Sequence, residues 1–115
     1  MLYALMCTDK PGSLELRMKV RPEHVAYLNG PSVALKAAGP FLDDDGNPTG
    51  SLVIIEAADM AAAKLVAAND PYNIAGLFSH VEIKAWRWAL KNPDAALWPI
   101  GFSNLNLTFS HSISL

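Results

Sequence analysis

Val33-Ala34-Leu35-Lys36-Ala37-Ala38-Gly39-Pro40-Phe41, Asp43-Asp44-Asp45-Gly46-Asn47-Pro48 and Ser51-Leu52-Val53-Ile54-Ile55-Glu56-Ala57 follow one another near the centre of the chain. The first piece reads as a strand closed by Gly39-Pro40. The second is dense in residues that favour turns, because Asp and Asn bond their own backbone and Gly accepts a left-handed conformation. The third carries four consecutive branched or long apolar side chains, the pattern of a strand covered on both faces. Two strands across a short polar loop predict a hairpin.

Working outward, a helix is expected on each side of this hairpin. Upstream, Ser13 can cap a helix whose first turn carries Glu15 near the positive dipole end. Leu14, Met18, Val25 and Leu28 recur at helical spacing and predict one apolar face. Pro22 lacks a donor and restricts Arg21, so two helical pieces or a kink are expected, the second piece running from Pro22 to about Gly30. Downstream, Asp59 caps an Ala-rich helix over Met60 to Asn69. Asp70-Pro71 can open another short helical turn, closed by Gly76.

Further out lies a strand at each end. Leu2 to Thr8 is a short, mostly apolar run before the turn Asp9-Lys10-Pro11-Gly12. Leu77 to Leu90 is a long strand candidate, with Val81, Ile83 and Ala85 alternating with His80, Glu82 and Lys84. The resulting order, βαββαβ, is that of an α+β, ferredoxin-like fold. Helices on one face of an antiparallel sheet leave the other face bare, and a second copy could cover it.

Composition narrows the function. The chain has 115 residues, 51% hydrophobic and 17% charged, with a formal net charge of -2. A chain of this length buries roughly two-thirds of its unfolded surface, enough for one core. Nine Lys+Arg against eleven Asp+Glu give no basic footprint, so nucleic-acid partners are not expected. No apolar run reaches the roughly 18 residues of a membrane span, and the start lacks the features of a signal peptide. The expected compartment is the cytoplasm. Cys7 is the single cysteine, which excludes an internal disulfide and a cysteine-rich zinc cage. From Leu105 the odd positions are Leu, Leu, Phe, His, Ile and Leu, and the even positions are Asn, Thr or Ser. That period of two predicts a strand-like tail, added to a sheet edge or exchanged with a partner.

Few residues suggest chemistry. His24, placed in the first turn of a helix starting at Pro22, would have its imidazolium form disfavoured by the helix dipole. Asp70, a helix cap, has spare lone pairs that could orient such a histidine, the base-plus-orienter arrangement of acid–base catalysis. The bland reading of each is an ordinary histidine and an ordinary cap. Asp43, Asp44 and Asp45 lack EF-hand spacing and read as a solvated turn. Cys7 reads as packing. His80 and His111 have no partners at metal-ligand spacing, so no metal is expected. Trp86, Trp88 and Trp98 read as core or interface residues. No phosphate-binding glycine loop is present, and no cofactor is expected.

Several pieces together resemble the YCII-related (YciI-like) family of the dimeric α/β-barrel superfamily. They are Met1-Leu2-Tyr3; Arg21-Pro22-Glu23-His24-Val25-Ala26-Tyr27-Leu28; Ala38-Gly39-Pro40-Phe41-Leu42-Asp43-Asp44-Asp45-Gly46 with Gly50-Ser51; and Asn69-Asp70-Pro71-Tyr72 with Gly76-Leu77-Phe78. The match covers residues 1–91, leaving 92–115 as a C-terminal extension. The resemblance implies a homodimer joined through the sheet faces and a pocket holding a His–Asp pair, here His24 and Asp70. By analogy with related enzymes, it implies a small acid–base enzyme of the lyase, isomerase or dehalogenase type, acting on a small cyclic oxygenated substrate. Tyr72 would donate to a substrate oxygen and Arg21 would attract an anionic group. The alternative is a non-catalytic small-molecule-binding or accessory dimer, and a haem-binding module is a third possibility.

Overall fold

The computed structural model describes residues 1–94. Its elements run β1 (Leu2–Asp9), α1 (Leu14–Leu28), β2 (Ala34–Leu42), β3 (Pro48–Glu56), α2 (Met60–Ala68), α3 (Pro71–Ile74) and β4 (Phe78–Trp86). The four strands form one antiparallel sheet in the order β2-β3-β1-β4. This is the α+β, ferredoxin-like architecture expected from the order of elements. The alternating tail from Leu105, together with Trp98 and His111, lies outside the described residues.

Register sorts the sheet into two faces. Tyr3, Leu5 and Cys7 of β1 sit opposite Ile55, Val53 and Ser51 of β3, while Leu5 and Cys7 face Ile83 and Val81 of β4 on the other side. Successive residues of a strand point to opposite faces, so these side chains share one face, and most belong to the main core with Leu28, Ala63 and Ala67 from the helices. Alanines in α2 let that helix approach closely. The β2–β3 hairpin closes as expected: Asp43 Oδ1 accepts from the backbone N–H of Asp45 and of Asn47, each at 2.9 Å. Gly46 takes φ 85° there, a conformation only glycine adopts freely.

Three expectations need correction. β2 continues through Gly39-Pro40 to Leu42. It is an edge strand, where a missing proline donor can face solvent. β4 ends at Trp86 instead of Leu90, where its pairing partner β1 runs out at Leu2. α1 is a single helix through Pro22. Pro22 and its neighbours Arg21 and Glu23 are exposed to solvent, so water can serve the Met18 carbonyl that loses its intrahelical donor.

The buried face of α1 also differs from the apolar stripe. Arg17, Val20, His24 and Leu28 are buried, whereas Leu14 and Met18 are 40% and 55% exposed. Two of the four inward side chains are polar. A helix that turns an arginine and a histidine toward the sheet needs partners there, and that requirement locates the site.

Candidate active site

His24 enters from the interior of α1, and Asp70 from the start of α3. His24 Nδ1 lies 2.9 Å from Asp70 Oδ1 and 3.0 Å from Oδ2. The two residues are 8% and 5% exposed. Asp70 also caps α3, its Oδ1 accepting from the Tyr72 backbone N–H at 2.9 Å. A carboxylate holding Nδ1 as the donor leaves Nε2 with the imidazole's basic lone pair.

The dipole argument for His24 does not hold. α1 starts at Leu14, so His24 lies well beyond the first turn, where the macrodipole has faded. Its surroundings come from side chains instead. The Tyr72 ring stacks on the imidazole, with centroids 3.9 Å apart and planes 14° from parallel. Tyr72 is 1% exposed and meets Phe78 edge-on at 5.9 Å. Burial raises the Tyr72 phenol above its ordinary value, partly offset by the Arg17 and Arg21 charges, so the hydroxyl stays protonated.

Beside this pair stands a second one, which no reading of the sequence proposed. Arg17 Nη1 donates to Asp9 Oδ2 at 2.8 Å and to Oδ1 at 3.1 Å. Arg17 Nη2 donates to Ser51 Oγ at 2.7 Å. The guanidinium carbon also lies 4.9 Å from the Tyr72 ring centroid, within cation–π range. Arg17 and Ser51 are 5% and 2% exposed. A signal for Arg17 was available: Arg17, Arg21 and His24 follow i, i+4, i+7 along one helix face. Nothing local marks Asp9 or Ser51, because their role depends on strands brought together by the fold.

These groups surround a cavity of about 360 Å³ between α1 and the β2–β3 hairpin, into which Arg17, Arg21, His24, Ser51 and Tyr72 project. Val25, Leu35, Pro40 and Val53 supply apolar wall. The volume falls within the usual range for small-ligand pockets. All four residues singled out in the sequence thus converge: His24, Arg21 and Tyr72 line the cavity, and Asp70 sits behind His24. Arg21 has no carboxylate partner among the described residues.

The remaining candidates play other parts. Cys7 is buried in β1 beside this network, and its thiol is pushed up to about 12, first by burial and then by the Asp70 and Asp9 charges. That environment opposes thiolate chemistry. Among the described residues no group of three or more His, Cys, Asp or Glu could hold a metal. No helix among them is long and apolar enough to cross a membrane.

The chain is similar to known proteins in sequence and in fold. The family model described as the YCII-related domain matches residues 1–87. Protein YciI of Escherichia coli O6:H1 is 40% identical over 95 residues, covering 76% of this chain and 97% of that protein. A Haemophilus influenzae protein is 39% identical over 95 residues with the same coverage. Among solved structures, the 5-chloro-2-hydroxyhydroquinone dehydrochlorinase of Burkholderia phenoliruptrix AC1100, in complex with 2,5-dihydroxybenzoquinone, is 34% identical with a TM-score of 0.68. That match covers 76% of this chain and 94% of the dehydrochlorinase. A NIPSNAP family protein from Agrobacterium tumefaciens shares the fold at 14% identity and a TM-score of 0.51, covering 80% of this chain and 95% of that one.

Proposed function

The chain belongs to the YCII-related family, and on that footing we propose that it is a small-molecule acid–base enzyme. The observation that carries this reading is the bonding of His24. Both Asp70 oxygens hold Nδ1, while the ring lines a cavity of single-ring size. In this reading His24 Nε2 takes a proton from a cyclic, oxygenated substrate and returns it to the substrate or to a leaving group. Asp70 sets the tautomer and stabilises the imidazolium that forms. Arg21 attracts the anionic group of the substrate. Tyr72 supports His24 through its ring, and its protonated hydroxyl can donate to a substrate oxygen. The 34% identical dehydrochlorinase, with its bound quinone, supports the substrate class.

A homodimer completes the proposal. Met6, Leu52, Ile54, Trp86 and Trp88 line an apolar groove on the sheet face away from the helices. Covering such a face with a second copy is the fold's direct answer to its exposure. The 1–91 domain would form that interface, and the 92–115 extension would add to a sheet edge.

The test is exchange of substrate protons with deuterated water, followed by NMR over a panel of hydroxyquinones and small cyclic enols. Parent protein is expected to catalyse exchange on at least one member. His24→Ala is expected to lower the rate by about 10²–10⁴-fold, the usual worth of a positioned base. Asp70→Asn should also lose most activity. Its amide oxygen would keep the Tyr72 N–H bond, which turns the NH₂ toward Nδ1 and forces the imidazole proton onto Nε2. Unchanged exchange in both variants would reject the mechanism, and tight binding without exchange would favour the non-catalytic module.

A further inference from the structure

Ser51 is bonded on one side only. A hydroxyl carries one proton and two lone pairs. Arg17 Nη2 donates to one lone pair at 2.7 Å, and an arginine cannot accept the proton in return. Among the described residues the Ser51 hydroxyl proton has no acceptor. Ser51 is nonetheless 2% exposed, and a buried donor left unmade is costly. The side chain lines the same cavity as His24, Arg21 and Tyr72. An acceptor supplied by the cavity's occupant satisfies it.

The surrounding charge selects the kind of acceptor. Asp9 balances Arg17, and Asp70 faces His24. Arg21 has no carboxylate partner among the described residues and lines the cavity. Among the described residues, Arg21 is therefore the charged lining group left to meet an anionic oxygen. A guanidinium bonded to Ser51 Oγ also polarises the hydroxyl, which strengthens it as a donor.

We infer that Ser51 is the specificity-determining donor of this site and binds an anionic oxygen of the substrate, a phenolate, enolate or carboxylate. Asp9 and Arg17 are its positioning residues. They hold Ser51 Oγ from behind, as Asp70 holds His24. Two carboxylates thus stand in the outer layer, and Ser51 and His24 face the occupant together with Arg21 and Tyr72. The inference rests on the reading of this cavity as a substrate site and names the substrate chemistry.

Removing Arg17 would strand Asp9 as a buried, unpaired charge, so the test belongs at Ser51. Binding of 2,5-dihydroxybenzoquinone and of the neutral ring 1,4-dimethoxybenzene is measured by calorimetry for the parent and Ser51→Ala, with thermal midpoints confirming that both are folded. Ser51→Ala is expected to weaken the hydroxyquinone about tenfold or more, as for loss of a hydrogen bond to a charged group. The neutral ring should change less than about twofold, because the apolar walls remain. An equal effect on both probes, no effect on the hydroxyquinone, or no saturable hydroxyquinone binding to the parent would overturn the inference. The acid–base reading fails separately: Ser51-dependent binding with no His24-dependent proton exchange keeps this subsite and removes the catalysis.

Discussion

Cys7 shows how closely the chemistry of single residues here follows from burial. Its thiol sits on the helix-side face of β1, opposite Ser51, and is raised from 9.0 to about 12. Raised pKa values bind the proton more tightly in the folded state. Above pH 9 the unfolded chain releases the proton while the folded chain keeps it, so stability falls as pH rises toward 12. Tyr27 and Tyr72, both raised by burial, add in the same direction above their ordinary value of 10.0. Urea midpoints measured from pH 7 upward are expected to hold steady and then decline above pH 9. Cys7→Ala should start lower, because it leaves a small void, and should decline less steeply. Equal slopes in the two proteins would show that the thiol does not contribute.

The residue scale also explains how much of the site could be read in advance. Asp70 before Pro71 is legible as a cap, and it is one. Its second contact, to His24, joins positions 46 apart, and no local pattern carries that information. Ser51 looks like any strand serine until Arg17 is placed against it.

At the scale of elements, α1 is the informative case. Its hydrophobic spacing suggested one face and its burial chose another, rotated to present Arg17 and His24 inward. Met18 and Val25, two members of that expected stripe, line the cavity instead of the core. Polar partners on β1, β3 and α3 outweigh the weak apolar preference of the helix itself. Pro22 belongs to this balance: it removes a bond on the exposed side, and packing of the opposite face holds the helix continuous. Pro22→Ala would restore an N–H to the Met18 carbonyl. It is expected to stabilise the protein by about 1–3 kcal/mol in chemical denaturation, given the cost of proline inside a helix. A destabilised variant would mean that Pro22 shapes α1 in a way the packing needs. Gly76 closes α3 with φ 80°, and Leu77 then turns into the secondary core beneath Tyr72 and Val20. That short turn aims Asp70 and Tyr72 at α1.

For the whole molecule, the central question is the sheet face without helices. Its groove is almost wholly apolar, with Lys84 the one charged lining residue. The Trp86 and Trp88 rings meet at 5.6 Å, tilted by 51°, at its margin, and Trp86 is 39% exposed. An apolar groove of this kind suits the interface of the proposed homodimer. Under the proposed homodimer, the parent should sediment as a dimer at micromolar concentration. Leu52→Glu should give a monomer that keeps its helical circular dichroism, since a buried unpaired charge opposes association. A monomeric parent would contradict the proposal.

The order of the elements, the hairpin turn at Asp43–Pro48, the caps at Asp59 and Asp70 and the lone buried cysteine are all properties of local sequence. Turn chemistry, capping and hydrophobic period act over a few residues, so the chain states them directly. Together they are enough for an α+β, ferredoxin-like architecture. Tertiary structure alone decided which face of α1 turns inward, that α1 passes Pro22 unbroken, and that Asp9, Arg17 and Ser51 meet beside His24 and Asp70. Each of those outcomes depends on desolvating polar groups that must find partners from distant strands and helices. The energy of such a contact exists only once both partners are in place.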